Sequence, residues 1–319
     1  MAESLAIFVA HWVVRRFGIV TTRAVIKEVP GTDIIKVVVR APPQTLRRFS
    51  EAPASHAYLS IPRVSKPGAP YMSQFSWAQL RSNFLSNPFT VASVDQEAGE
   101  LTFVVRQTCG PMTTALGKLA SQQASEVTVS LNVDGPYGVA GVDQLQHFDR
   151  VLLVAGGVGA TFILPLYRHI RTANPSAAVR LVWAIRSTSE LAWGSDDGAD
   201  IYEDENIRLF VTRYDQGESD GEEKISGTEP VSSKEFDDLT LDLREKDGAK
   251  DIMGSTAMEH HERPDLQRIV DEVLQETPTD RVAVVVCGPA AMVCDLRDAV
   301  GFWIQKGRDV YFKNETFSL

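Results

Sequence analysis

The 319-residue sequence has only three cysteines, Cys109, Cys287 and Cys294. So few and so scattered, they exclude a disulfide framework and a cysteine-rich metal site, and they fit a reducing compartment. Its six histidines are dispersed apart from His260-His261, and neither H-E-x-x-H nor C-x-x-C occurs; no protein-bound metal is expected. Positive charge is in deficit: 32 Lys and Arg stand against 42 Asp and Glu, a net of −10. No basic stripe interleaved with aromatics is present, which argues against a nucleic-acid partner. Long apolar runs are also missing. The longest, Leu5 to Val14, contains His11 and is followed at once by Arg15-Arg16, whereas a bilayer crossing needs about 20 residues. A secretory leader would carry its positive charge before the run, not after it. Two readings stay open for residues 1–18: a surface helix, or the last turns of a membrane-proximal helix with both arginines on the cytoplasmic side.

The length suggests two domains, and the hydrophobic fraction of 44% is ordinary for a globular protein. Charge is unevenly spread. Asp215 to Arg263 holds fifteen acidic and six basic residues, so the remainder is near neutral. That stretch is Gly- and Ser-rich without periodicity and is expected to be a disordered acidic insertion over 215–263.

From Ile19 onward, short β-branched runs alternate with Gly and Pro. Thr22–Glu28, Ile34–Val39, Ala57–Ile61, Leu101–Arg106 and Val127–Val133 read as strands, which suggests a small barrel or sandwich. Near Gln144 to Arg150 the pattern changes to alternating strands and helices. Val151–Ala155, Val179–Ile185, Ile207–Thr212, Arg281–Val286 and Val310–Phe312 are the strands; Phe162–Arg171, Pro264–Glu276 and Ala290–Trp303 are the helices. The expected architecture is an all-β unit followed by an α/β unit with a parallel sheet.

Several motifs carry chemistry. Val151 to Thr161 reads as a buried strand, a Gly156-Gly157-Val158-Gly159 turn and a helix start. Such a turn presents backbone N–H groups to a pyrophosphate, although Phe162 occupies the place of a third glycine and the turn alone fits a strand-to-helix connection without a ligand. Asn87-Pro88-Phe89-Thr90 enters a strand on which Phe89 and Val91 point one way, Pro88 and Thr90 the other. Arg106 precedes Cys109-Gly110-Pro111 and the helix start at Thr113-Thr114. It reads either as a phosphate partner beside a helix N-terminus or as a solvated strand arginine. Asp134-Gly135-Pro136-Tyr137-Gly138 is a rigid turn with an aromatic face. Arg186, at the carboxyl end of a strand, suits the 2′-phosphate of NADPH, and equally a surface loop. Cys287-Gly288-Pro289 is a second strand-end turn, and Glu315-x-Phe317 closes the chain.

The order of these six motifs, from about Ile19 to Phe317, resembles the cytosolic half of the fungal ferric reductase and NADPH oxidase family, within the ferredoxin–NADP reductase fold group. The resemblance implies a six-stranded antiparallel FAD-binding β-barrel over 19–146 and an NADP-binding α/β domain over 147–319. In that family Phe89 would stack on the flavin ring and Thr90 would hydrogen-bond near flavin N5, with Asn87, Pro88, Gly135 and Tyr137 around them. Arg106, Gly110 and Thr113 would hold the FAD pyrophosphate. Gly157, Gly159 and Thr161 would bind NADPH phosphates, and Arg186 the 2′-phosphate. Cys287, Gly288 and Pro289 would line the nicotinamide site, and Glu315 and Phe317 would close the other flavin face. Thr90, Cys287 and Phe317 would flank the reacting atoms. Two departures stand out: Asn87 replaces the usual histidine, and Pro53-Ala54-Ser55-His56 replaces Pro-Gly-Gln-His, where a different backbone path is expected.

The implied activity is electron transfer from NADPH through FAD to a one-electron acceptor. Ferric chelate, reached through haems of a membrane domain outside this chain, is the first choice, and dioxygen the second. The expected location is the cytosolic face of the plasma membrane. A cofactor-binding module without enzymatic activity is the alternative.

Overall fold

The computed structural model describes residues 19–62, 86–121, 127–138, 142–193, 201, 204–213, 258–276 and 279–316. The expectations for residues 1–18, for Phe317 and for the acidic stretch over 214–257 lie outside the described residues.

The first lobe is built from six strands: β1 Val20–Glu28, β2 Ile34–Arg40, β3 His56–Ser60, β4 Asn87–Asp95, β5 Glu100–Arg106 and β6 Val127–Tyr137. They close into an antiparallel barrel in the order β1-β2-β5-β4-β3-β6, which leaves no unpaired edge. Period-two alternation sends Ala24 and Ile26, Val37 and Val39, Leu101 and Phe103 inward, all at 1% exposure or less. Two helices plug this core. Helix α1, Pro43–Ser50, buries Leu46 and Phe49, and α2, Pro111–Ser121, buries Met112 and Leu116 in the same cluster. The strand reading had no place for α1. Pro42-Pro43 looks like a break, yet Pro43 sits in the first turn, where a proline N–H would have no partner anyway.

The second lobe is a parallel sheet of β7 Arg150–Gly156, β8 Ala178–Ile185, β9 Ile207–Val211, β10 Met258–His260, β11 Val282–Cys287 and β12 Val310–Glu315. Its order is β10-β9-β8-β7-β11-β12. Helix α3, Ala160–Ala173, covers one face; α4, Leu266–Glu276, and α5, Ala290–Gln305, cover the other. The strands read as unbroken apolar runs, β11 being buried at all six positions, as expected when helices lie on both faces. One part of the expected insertion is ordered differently: Met258–His260 adds to the sheet edge beside β9, and the His260 imidazole stacks on Phe210 at 4.7 Å.

The lobes share a core. Val29, Ile34, Ala54, Ala92 and Val104 of the barrel belong to the same buried cluster as α3 and the sheet face beneath it.

The sheet starts in its middle at β7, winds outward to β10, then returns to lay β11 on the other side of β7. The carboxyl ends of β7 and β11 are therefore the switch point, where open α/β sheets bind ligands. The two ends touch. A Cβ on Gly159 would lie 2.1 Å from the Cys287 carbonyl oxygen, a backbone atom. Gly159→Ala should destabilise the protein by about 1–3 kcal/mol or more. Gly301→Ala, inside α5 with nothing within 4 Å of the added methyl, should stabilise it by about 0.5–1 kcal/mol. Chemical denaturation of the two variants checks both signs.

Candidate functional site

At the switch point a crevice of about 320 Å³ runs between the glycine turn after β7 and the Cys287-Gly288-Pro289 turn after β11. Gly156 and Gly157 form one wall, Pro289 and Met292 the other, and Arg106, Arg186 and Arg263 bring positive charge to it. The walls are in contact at the base: a Cβ on Gly156 would meet Pro289 Cδ at 2.5 Å. Gly157 has φ +54°, a conformation that L side chains rarely take, and its carbonyl accepts a 3.0 Å hydrogen bond from Trp183 Nε1. Thr161 is buried and its hydroxyl donates to the Val158 carbonyl at 2.9 Å, which fixes the turn into α3. A cradle of glycines backed by arginines at the carboxyl ends of parallel strands fits the diphosphate of a nicotinamide dinucleotide. Gly159 serves contact between the strand ends, as its steric seat shows, more directly than ligand approach.

The barrel carries a second surface of interest. β3 and β4 pair His56 with Thr90, Ala57 with Phe89, Tyr58 with Pro88 and Leu59 with Asn87. Directly paired residues share a face, so Thr90 and Pro88 lie with His56 and Tyr58. Tyr137, which also pairs with His56, completes an aromatic group with ring centroids 5.6–6.0 Å apart. The Tyr137 hydroxyl donates to Asp134 at 2.6 Å, and Gly135 lets β6 approach the His56 carbonyl, 3.1 Å from where a Cβ would stand. The Thr90 hydroxyl has no hydrogen bond among the described residues. Planar rings beside an uncommitted hydroxyl fit a flavin ring system. Phe89 lies on the other side: it is 9% exposed and packs in the barrel core with Ala57 and Val91. Phe89 and Thr90 thus occupy opposite faces of β4, and the rings on the Thr90 face are Tyr58, Tyr137 and His56.

Ala54 resolves the expected backbone difference. Its φ is 58°, so alanine holds the left-handed turn that glycine favours, at a strain of about 1–2 kcal/mol. The path is that of a glycine.

Of the trio implied for the FAD pyrophosphate, Gly110 and Thr113 lie together. Thr113 is 1% exposed, and its hydroxyl is engaged with the Thr108 and Gly110 carbonyls at 3.0 Å. Arg106 instead crosses the seam. Its Nη2 meets Glu190 Oε1 at 2.9 Å and its Nε approaches Asp33 Oδ1 at 3.3 Å. Arg186 reaches Asp33 Oδ2 at 3.5 Å.

The two surfaces are linked by β12, where Glu315 is paired with Cys287. Glu315 acts on both lobes. Burial holds His56 below the ordinary imidazole range while the Glu315 carboxylate opposes that fall. Burial, then Glu315, pushes the Cys287 thiol up to about 12. Among the described residues, no group of His, Cys, Asp or Glu could hold a metal ion, and no helix is long and apolar enough to cross a membrane.

A closed antiparallel barrel joined to a parallel sheet, with a crevice at the switch point of the sheet, defines a two-lobed fold. A ferredoxin NADP+ reductase from Neisseria gonorrhoeae, solved with bound FAD and NADP, has that fold: TM-score 0.54 at 12% identity, covering 93% of this chain and 98% of that one. Residues 19–141 match an FAD-binding domain, and residues 148–301 match the ferric reductase NAD binding domain. Ferric reductase transmembrane component 3 of Saccharomyces cerevisiae is 26% identical over 286 residues, which are 84% of this chain and 35% of that protein. Ferric/cupric reductase transmembrane component 2 of Schizosaccharomyces pombe is 23% identical over 308 residues, 88% of this chain and 51% of its own length. The chain belongs to the ferric reductase family and has an FAD-binding and an NAD-binding domain. It spans about a third to a half of the length of these relatives.

Sequence reasoning missed Tyr58, Asp33, Glu190, Arg263 and Met292. Only Arg263 left a usable signal, as a lone cation just before the α4 pattern. Cys287 is completely buried. Below pH 9, Cys109 and Cys294, both exposed, should react with a thiol reagent in the folded protein. Cys287 should react only after denaturation. Labelling of all three native thiols at equal rates would contradict the burial and the raised pKa.

Proposed function

We propose that this chain is the dinucleotide-handling part of a ferric-chelate reductase. It takes electrons from NADPH and passes them through FAD to a one-electron acceptor. That acceptor is ferric chelate, reached through haems of a membrane domain outside this chain at the cytosolic face of the plasma membrane. The observation that carries the reading is the crevice at the ends of β7 and β11, to which Arg106 of the barrel contributes, beside a Glu315 carboxylate on β12 that acts on both His56 of the barrel and Cys287 of the sheet.

FAD, when bound, accepts electrons in a pair from the nicotinamide and gives them up singly. The chain supplies position and charge. Pro289 and the glycine turn set the depth of the nicotinamide end. Thr90 offers its hydroxyl to the flavin edge, and Tyr58 and Tyr137 present flat aromatic faces, the Tyr137 hydroxyl being held by Asp134. Cys287, buried and held as a thiol, packs beneath the reacting rings and takes no covalent part. Glu315 and His56 provide a carboxylate and an imidazole at the meeting of the lobes. Arg186, half-exposed at the end of β8, favours NADPH over NADH through the 2′-phosphate.

The purified chain, loaded with FAD, should show a flavin absorbance that bleaches anaerobically on adding NADPH and returns with a ferric chelate. A loaded protein that NADPH and NADH both leave oxidised would sink the reading and favour a non-enzymatic module. Arg186→Ala should raise the KM for NADPH by about ten- to a hundredfold, the loss of one charge-assisted phosphate contact. The KM for NADH should stay nearly unchanged. Equal effects on both would remove Arg186 from the 2′-phosphate site.

A further inference from the structure

We propose that Glu190 is an internal anion that holds Arg106 in the place where a dinucleotide diphosphate binds, and so sets the affinity of this site. The inference rests on the reading above, that the chain binds FAD and NADPH.

Glu190 lies in the short 3-10 segment Thr188–Trp193 that follows β8, and it is 3% exposed. A carboxylate so buried requires a cation. Among the described residues its one ion-pair partner is Arg106, which arrives from the far lobe, 84 positions away in the chain. The pairing is incomplete. Among the described residues Glu190 Oε2 is buried without a hydrogen-bond partner, as is Trp193 Nε1 in the same segment, and Arg106 Nε makes no hydrogen bond beyond its 3.3 Å ion-pair approach to Asp33. Such orphaned atoms are rare in native interiors and call for an explanation. A single carboxylate oxygen uses one arm of a guanidinium built for bidentate contact with a phosphate.

The position of the guanidinium supplies the explanation. Arg106 Nη2 stands 3.2 Å from the place of a Cβ on Gly157, the glycine whose left-handed backbone opens the crevice. The guanidinium therefore lies against the turn that a diphosphate must approach. Asp33 reinforces the arrangement by drawing both Arg106 and Arg186. The two arginines suited to dinucleotide phosphates are thus held by carboxylates of the protein itself. A diphosphate reaching Arg106 must displace Glu190 or bind beside a like charge, so Glu190 weakens binding in either case.

The test is Glu190→Gln, which keeps the shape and removes the charge. The whole chain is titrated in separate arms with FAD and with 2′-phospho-ADP-ribose by calorimetry. Tryptophan fluorescence is followed alongside, since Trp183 and Trp193 stand 5.5 Å apart at this site. At least one ligand should bind about tenfold more tightly to the variant, within the usual range of site coupling. The melting temperature of the ligand-free variant should fall or stay level. Tightening in the FAD arm identifies the flavin diphosphate as the competitor; tightening in the other arm identifies that of the nicotinamide dinucleotide. A folded variant that binds both ligands no more tightly than the wild type overturns the inference and leaves the functional reading intact. Wild-type protein that binds neither ligand overturns both. Asp33→Asn, at a half-exposed position, serves if Glu190→Gln does not fold: tighter binding supports the proposal and unchanged binding overturns it.

Discussion

The closeness of two strand ends governs this molecule. β7 and β11 are adjacent in the sheet but far apart in the chain, and their terminal turns meet at backbone distance at Gly159 and Cys287. The contact leaves no room for a side chain, so it fixes the pitch at which α3 leaves the sheet. It also fixes the depth of the crevice above it. The walls of the nucleotide site are thus determined by strand packing before any ligand contributes.

Charge behaves differently at the seam. The apolar contacts between lobes are complete, whereas the ionic ones are strained in composition: two arginines share Asp33 and one buried carboxylate. An apolar interface decides that the lobes stay together. An under-satisfied ionic cluster decides which anion occupies the space between them. The same guanidinium can therefore belong to structure in one state and to ligand recognition in another.

Much of the fold was legible because each lobe has one dominant period. β-branched runs with Gly and Pro punctuation gave the barrel strands, and apolar runs followed by helical spacing gave the sheet and its helices. Alternation along Asn87 to Val91 already separated Phe89 from Thr90; the resemblance grouped them, and the structure keeps them apart. What was hidden depends on contacts distant in sequence. Nothing near Glu190 announces that it is buried, because its cation comes from the other lobe. Tyr58 joins the aromatic face only through pairing of β3 with β4 and β6. Arg263 was submerged in the composition of the acidic stretch beside it. Ala54 shows the converse: an alanine holds a left-handed conformation that glycine favours, which the residue type alone would not announce.

The buried cluster that runs from Val29, Ile34, Ala54, Ala92 and Val104 into α3 makes each lobe the lid of the other. Independent domain swinging is the ordinary expectation for two lobes on one chain, unless their interface is large and hydrophobic. Here separation would wet a shared interior, although each lobe keeps a further core of its own. A cut between the barrel and the sheet would release two fragments, each with a sticky face where the other had lain.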